Sequence, residues 1–337
     1  MALKVAINGF GRIGRNVMRA AKQAGADINF VAVNDLGNPE TMAYLLKHDT
    51  VYGMAPFDVE IDGDKLTVDD DTMDFLSVRN PAELPWAELG VDIVLESTGI
   101  FKKREQAAMH LEAGAKKVII SAPSSDADAM VVVGVNDDVL TADQVVVSNA
   151  SCTTNCFAPM VKILDDAFGV EQGLITTIHA YTGTQNLVDA PHKDLRRARA
   201  GAVNLIPTST GAAVATGQVL DHLMGKLDGM AMRVPIPAGS ATDFVGMVKA
   251  EVSIDDIHEA FRLAAAGPMS GIVAFSDAPL VSSDIVARTE SCIYDAGMTM
   301  VMPVAAGGTM VKLIGWYDNE SGYSTRMVDL ALKMGAL

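Results

Sequence analysis

Apolar residues along this chain follow two different rhythms. From the N-terminus, short unbroken apolar runs alternate with stretches in which apolar positions recur every three or four residues. Leu3-Lys4-Val5-Ala6-Ile7 reads as a strand, followed by a helix ending near Gly25. Residues 30–33 form a second strand, 39–47 a helix, and 59–68 a hairpin around Asp62-Gly63. Strands at 91–96 and 117–120 flank a helix over 104–113. Unbroken apolar runs of this kind suit strands covered on both faces, as in a parallel sheet. Val145-Val146-Val147 then leads toward residues 158–164, apolar at helical spacing. Past Cys156 the rhythm changes. A strand at 173–179 and a long polar segment to about Ala202 precede strands at 229–235, 241–252, 272–275, 298–302 and 310–317. Helices start near Thr210, Asp255 and Gly322. Runs of strands with few helices between them predict a mixed or antiparallel sheet. The fold expected is α/β: a dinucleotide-binding domain over 1–150 and an α+β domain over 151–321. The last helix, about 322–334, is too short to stand alone and is expected to pack back onto the first domain.

The chain of 337 residues is long enough for two such cores, and with 49% hydrophobic and 20% charged residues it has the balance of a folded globule. No apolar run approaches the ~18 residues of a membrane span, and no signal-peptide pattern opens the chain, so the cytoplasm is expected. A formal charge of −16 argues against a general nucleic-acid partner. Three cysteines, Cys152, Cys156 and Cys292, are too few and too scattered for a disulfide framework, and no pair has the spacing of structural zinc. No metal is expected. The 19 methionines read as core filler.

Chemistry enters at two places. Between the first strand and helix lies Gly9-Phe10-Gly11-Arg12-Ile13-Gly14, a G-x-G-x-x-G turn in which glycines allow close approach of a pyrophosphate to a helix N-terminus. Alone it is a weak signal, since glycines also punctuate ordinary turns. Asp35, 24 positions beyond Gly11 at the end of the next strand, stands where an acid takes ribose hydroxyls and repels a 2′-phosphate. Strand, glycines, helix, strand and acid in that order predict a Rossmann-type domain binding NAD. Carboxyl strand ends place Asp35, Thr98 and Ser121 along one crevice.

The second place is Ser148-Asn149-Ala150-Ser151-Cys152-Thr153-Thr154-Asn155-Cys156. Small hydroxyl and amide residues satisfy the first N–H groups of a helix. A cysteine there is expected to have a lowered thiol pKa and to act as a nucleophile. A buried structural cysteine is the bland alternative, and a Cys152–Cys156 redox pair is disfavoured by helical geometry. His179 ends a strand directly before a turn, the natural base for that thiolate. The basic run Lys193 to Arg199 is either a solvated face or an anion site, as is the helix opening at Thr208-Ser209-Thr210-Gly211. Arg233 is a further phosphate candidate.

The nonapeptide around Cys152 closely resembles the active-site signature of phosphorylating glyceraldehyde-3-phosphate dehydrogenases. Ile7 to Gly14, Asn34-Asp35, Thr177 to Thr182, Pro191 to Arg199, Thr208 to Ala213, Gly229 to Pro235 and Trp316 to Glu320 extend the resemblance over nearly the whole chain. It implies oxidation of glyceraldehyde 3-phosphate to 1,3-bisphosphoglycerate with NAD, in glycolysis or gluconeogenesis. A Cys152 thioester would form with His179 as base. Thr182 and Arg233 would hold the substrate phosphate. Ser151, Thr153, Thr210, Gly211 and Arg197 (Arg196 as the alternative) would surround inorganic phosphate. Gly9 and Gly11 of the glycine turn, with Arg12, Ile13, Asp35, Arg79, Ser121 and Asn319, would contact NAD. A homotetramer is also implied. Two positions depart from the family pattern: Val214 stands in place of a lysine and Ser321 in place of a tryptophan. Leu36 and Pro191 agree with NAD preference. The alternatives are the sister activity on erythrose 4-phosphate, with water as acyl acceptor, and an idle member kept as a binding protein.

Overall fold

A computed structural model of the chain describes residues 2–337 and divides into two compact units. One comprises residues up to Val131, Asp137–Ser151 and Ser324–Leu337; the other comprises Val132–Asn136 and Cys152–Tyr323.

The first unit is built on nine strands: β1 (Leu3–Asn8), β2 (Ile28–Asn34), β3 (Val59–Asp62), β4 (Lys65–Val68), β5 (Asp71–Leu76), β6 (Ile93–Glu96), β7 (Lys117–Ile120), β8 (Ala129–Met130) and β9 (Val146–Ser148). Their spatial order is β8-β9-β7-β6-β1-β2-β5-β4-β3. From β8 to β5 every pairing is parallel, and the β3–β4 hairpin closes one edge antiparallel. β1 is flanked by β2 and β6, so the connections leave it in opposite directions, and a crevice opens at its carboxyl end. The periodicity did not predict β5, whose alternating Asp71-Thr72-Met73-Asp74-Phe75-Leu76 extends the parallel sheet beside β2. The stretch 104–113 is not one helix but two short pieces, Arg104–Ala107 and Met109–Glu112.

Helix α1 (Arg12–Ala24) stops at Gly25, whose φ of 59° is the left-handed conformation that closes a helix at little cost for glycine. α2 (Pro39–Lys47) begins with Asn38 accepting the Thr41 amide. Trp86 is fully buried among Ala6, Val94, Ala107 and Val118, a core beneath the crevice.

The second unit opens with α3 (Cys152–Phe168), which begins at Cys152 itself and carries Pro159 inside it. Its strands are β10 (Val170–Ala180), β11 (Ile206–Ser209), β12 (Leu227–Val234), β13 (Ser240–Val248), β14 (Val273–Ser276), β15 (Cys292–Asp295), β16 (Met300–Pro303) and β17 (Thr309–Tyr317). The sheet runs β11-β12-β10-β13-β17-β15-β14, with β16 paired to β17, and its ladders are parallel and antiparallel by turns. α3 packs across β13, β15 and β17, with Phe157 and Phe244 ring centroids 5.3 Å apart. Gly315 permits this approach, because a Cβ there would lie 2.8 Å from the Cys292 sulfur and 3.3 Å from that of Cys156. α4 (Ala212–Val219) and α5 (Ile254–Ala266) complete the unit. Val132–Asn136 joins it because Gly134 sits tightly against Ile272 and Met269. The last helix, α5's successor α6 (Ser321–Gly335), contributes Ser324 onward to the first unit. There Gly335 abuts Leu3, and Lys117 Nζ donates to the Met334 carbonyl at 2.8 Å.

Candidate active site

The crevice of the first unit is a cavity of about 370 Å³ lined by Gly9, Gly11, Asp35, Arg79 and Thr98 among others. The glycines differ in what demands them. A Cβ on Gly9 (φ +92°) would come within 2.5 Å of the Thr98 amide nitrogen, and one on Gly14 within 2.3 Å of the Gly9 carbonyl. Those two are required by chain packing. Gly11 meets nothing within 4 Å, so the protein itself does not need a glycine there. It is also the N-terminal cap of α1, with no side-chain cap bond and no acid in the first turn. An unblocked helix N-terminus beside open space fits a pyrophosphate. Asp35 accepts the Phe10 amide on one oxygen and the Gly37 amide on the other, both at 2.8 Å. It thus anchors the glycine turn and keeps lone pairs for ribose hydroxyls. The residues present fit NAD.

Not every expected cofactor residue lines this cavity. Arg12 reaches Asp49 at 2.5 Å and lies over Tyr52. Ile13 and Ser121 lie outside the lining, Ser121 donating its amide to the Glu96 carbonyl. Asn319 belongs to the second unit, where it accepts a hydrogen bond from Ser240 at 2.9 Å.

The chain leaves β9 through Ala150, whose φ of 53° is unusual for a residue with a side chain. Such strain costs about 1 kcal/mol or more and gathers at functional turns. Two residues later α3 starts with Cys152, whose sulfur lies 3.4 Å from His179 Nε2. His179 comes from the end of β10, where the parallel register pairs it with Arg233 of β12. On the far side of the ring, Nδ1 lies 2.7 Å from the Ala180 carbonyl and 2.7 Å from Arg233 Nη1. The carbonyl suits a hydrogen on Nδ1, and the guanidinium suits a bare Nδ1. Each tautomer therefore finds a partner, as a group that takes and returns a proton requires.

Burial dominates the electrostatics. It pushes the His179 pKa down to about 3, with Arg233 and Arg197 acting in the same direction. The Cys152 thiol is pushed up by burial, against the pull of Arg233 and the Thr153 hydroxyl and amide. This corrects the expectation of a lowered thiol pKa: the helix start is present, but lost solvation outweighs it. Cys152 still keeps part of its surface open. Moving one proton from sulfur to imidazole makes a pair at contact distance, whose attraction offsets part of the burial cost. Burial thus favours thiol and neutral imidazole over the separated charges.

Arg233 is itself held below its usual pKa by burial, and its Nε is buried without a partner. It meets His179 and the Ala180 carbonyl, which receives Nη1 at 3.1 Å. A buried guanidinium without a carboxylate calls for an anion. Arg197, rather than the exposed Arg196, points inward, donating from Nε to Thr208 at 2.9 Å, and Thr208 donates to Asp194. Gly211 caps α4, and Thr210 accepts the Ala212 amide at 3.2 Å. Thr182 bonds Thr184 at 2.9 Å. Ser151 is half-buried at the mouth of α3. The Thr153 hydroxyl, expected near a phosphate, instead meets the Tyr317 hydroxyl at 2.8 Å, which also meets Thr177.

Two contributors escaped the sequence reading. Tyr317 is buried edge-on to His179, ring centroids 6.0 Å apart. Ser240 accepts the Ala180 amide at 3.0 Å, fixing the peptide on which Nδ1 rests. The Tyr317 position lay in a recognised motif, but nothing local marks Ser240.

Two family models match the chain: glyceraldehyde 3-phosphate dehydrogenase, NAD binding domain, over residues 3–104, and the C-terminal domain of the same description over residues 151–319. Curated relatives include glyceraldehyde-3-phosphate dehydrogenase 2 of Streptomyces avermitilis, 56% identical over 336 residues, and the enzyme of Streptomyces coelicolor, 56% identical over 337. That of Mycobacterium avium is 55% identical over 341 residues; in all three alignments 99% of both chains is covered.

Proposed function

Because the chain belongs to the glyceraldehyde 3-phosphate dehydrogenase family, we propose that Cys152 is its nucleophile and His179 its general base. The activity is NAD-dependent, phosphorylating oxidation of glyceraldehyde 3-phosphate, a glycolytic step. The observation that carries the assignment of roles is the 3.4 Å contact of Cys152 with His179, beside an uncompensated Arg233.

The Cys152 sulfur attacks the aldehyde carbon as His179 takes the thiol proton and returns it to the carbonyl oxygen, giving a hemithioacetal. NAD, when bound, supplies the hydride acceptor. His179 holds the hydroxyl proton as that carbon is oxidised to the thioester. A phosphate oxygen then attacks the acyl carbon, the C–S bond breaks, and the thiolate recovers its proton as the acyl phosphate departs. Arg233 and Thr182 hold the phosphate of the substrate. Arg197, Thr210 and Gly211, with Ser151 and the Thr153 amide at the start of α3, favour the attacking phosphate. Gly11, Asp35 and Arg79 hold the dinucleotide, with Asn319 as a further contact.

The same reading includes a homotetramer in the cytoplasm. Leu174, Ile178, Met230, Val245 and Met310 lie exposed on strands β10, β12, β13 and β17, a surface suited to cover by a second copy.

NADH formation measured with glyceraldehyde 3-phosphate, with and without inorganic phosphate, tests the roles. Wild type is expected to require phosphate, and Cys152→Ser to lose about 10⁴-fold in kcat. Phosphate-independent turnover, or a fully active Cys152→Ser, defeats the proposal.

A further inference from the structure

Behind the cofactor crevice lies a polar network in an otherwise apolar core, and its centre, Glu96 and His110, is absent from the cavity lining. Glu96 ends β6 with its side chain only 1% exposed, and His110 of the short helix Met109–Glu112 is wholly buried. The Trp86 indole donates to His110 Nδ1 at 2.9 Å. An indole only donates, so Nδ1 accepts and the ring hydrogen sits on Nε2. That hydrogen faces Glu96 Oε2 at 3.1 Å, where Asn8 Nδ2 also donates at 2.6 Å. The other carboxylate oxygen receives the Thr98 amide at 2.9 Å and the Thr98 hydroxyl. One buried carboxylate thus gathers four donors, none of them from an arginine or lysine.

The network continues outward. Asn34 donates to Asn8 Oδ1 at 2.7 Å and clasps the Val78 backbone at both ends, 2.9 Å to the carbonyl and 2.8 Å from the amide. Asn8, Asn34, Val78 and Thr98 all line the cavity, and Arg79 follows Val78 directly. The carboxyl ends of β1, β2 and β6 and the segment after β5 are tied together through Glu96.

We propose that Glu96 and His110 are positioning residues for the adenosine end of the dinucleotide, setting the affinity of a cavity they do not touch; this rests on reading that cavity as the adenosine subsite. Without the carboxylate, four donors lose their acceptor, and Thr98 and Asn8 must turn to water or to each other. The wall then has to be ordered when the ligand binds. The network belongs to the first unit and the reacting sulfur to the second, so its loss falls on cofactor affinity before it falls on turnover.

Calorimetric binding of ADP-ribose, which carries the adenosine diphosphate without the nicotinamide, tests this alongside thermal melting and steady-state kinetics. Glu96→Ala is expected to raise the ADP-ribose Kd by about 30-fold and Glu96→Gln, which keeps an acceptor for Thr98, by about tenfold. Trp86→Phe, which removes the donor to His110 and leaves a smaller apolar ring, is expected to cost about threefold. KM for NAD should rise in parallel, with kcat changing far less. Trp86→Phe and Glu96→Gln carry the test if Glu96→Ala does not fold. Gly11→Leu is the control, since it places a side chain in open space within the cavity lining. If Gly11→Leu weakens ADP-ribose while the Glu96 and Trp86 variants lower only the melting temperature, the positioning role is wrong. If Gly11→Leu leaves ADP-ribose binding intact, the cavity is not the adenosine subsite and both readings fall.

Discussion

The Glu96 network of the first unit and the Cys152 site of the second treat buried polarity in opposite ways. In the first, the Glu96 carboxylate is surrounded by donors, and every wall of the crevice that it reaches is held by another hydrogen bond. In the second, His179 and Arg233 are pressed together, Arg233 keeps a bare Nε, and Cys152, His179 and Arg233 are all shifted by burial toward their uncharged forms. A saturated network gives a rigid receptor. An unsaturated one leaves interactions to be completed only by a reacting, anionic substrate, which is where differential binding has most effect. Binding and chemistry are thus prepared by contrasting electrostatics within one chain.

The contrast breaks most visibly at His179. Replacing it with Asn keeps a polar side chain but removes the base, and kcat is expected to fall by about 10²–10⁴-fold with substrate and NAD affinities nearly unchanged. A comparable fall in NAD affinity would mean that His179 itself also shapes the cofactor site. Arg233→Lys is a milder probe. Lysine keeps the charge and loses the fork, so KM for the phosphorylated aldehyde is expected to rise about tenfold or more, while an unphosphorylated aldehyde should be little affected. Equal effects on both aldehydes would place Arg233 with the thiol rather than with the substrate phosphate.

A further effect is on stability, and it grows only as pH falls below the ordinary histidine value. His179 is buried with a pKa lowered to about 3, so below the ordinary histidine value of 6.5 the unfolded chain binds a proton that the folded chain refuses. Stability is therefore complete above that value and declines as pH falls toward 3, by at most about 1.4 kcal/mol per pH unit from this group. Urea melts of wild type and His179→Asn across this range should converge as pH falls. Parallel curves would show that the imidazole is not paying the burial cost assigned to it.

Local features were legible without a structure. The glycine turn, the acid at the end of β2, the hairpin at Asp62-Gly63 and a helix starting beside the cysteine all depend on neighbours within a few residues. Long-range features were not. Arg197, put ahead of Arg196 only by resemblance, turns inward because Thr208, on the next strand, receives it. Thr153 is claimed by Tyr317, and the thiol pKa is set by how much protein surrounds the sulfur. The same limit hid Glu96: in sequence it is one acid at the end of an apolar strand, and only assembly shows four donors converging on it. β5 escaped because its alternating pattern reads as an edge strand, although it pairs parallel to β2.

The last helix has a consequence for synthesis. Gly335 packs on Leu3, so β1 is covered by a helix made long after it. The nucleotide-holding half cannot close until α6 has been synthesised, and β1 must be kept from straying until then. Loss of α6 should therefore be felt first at β1.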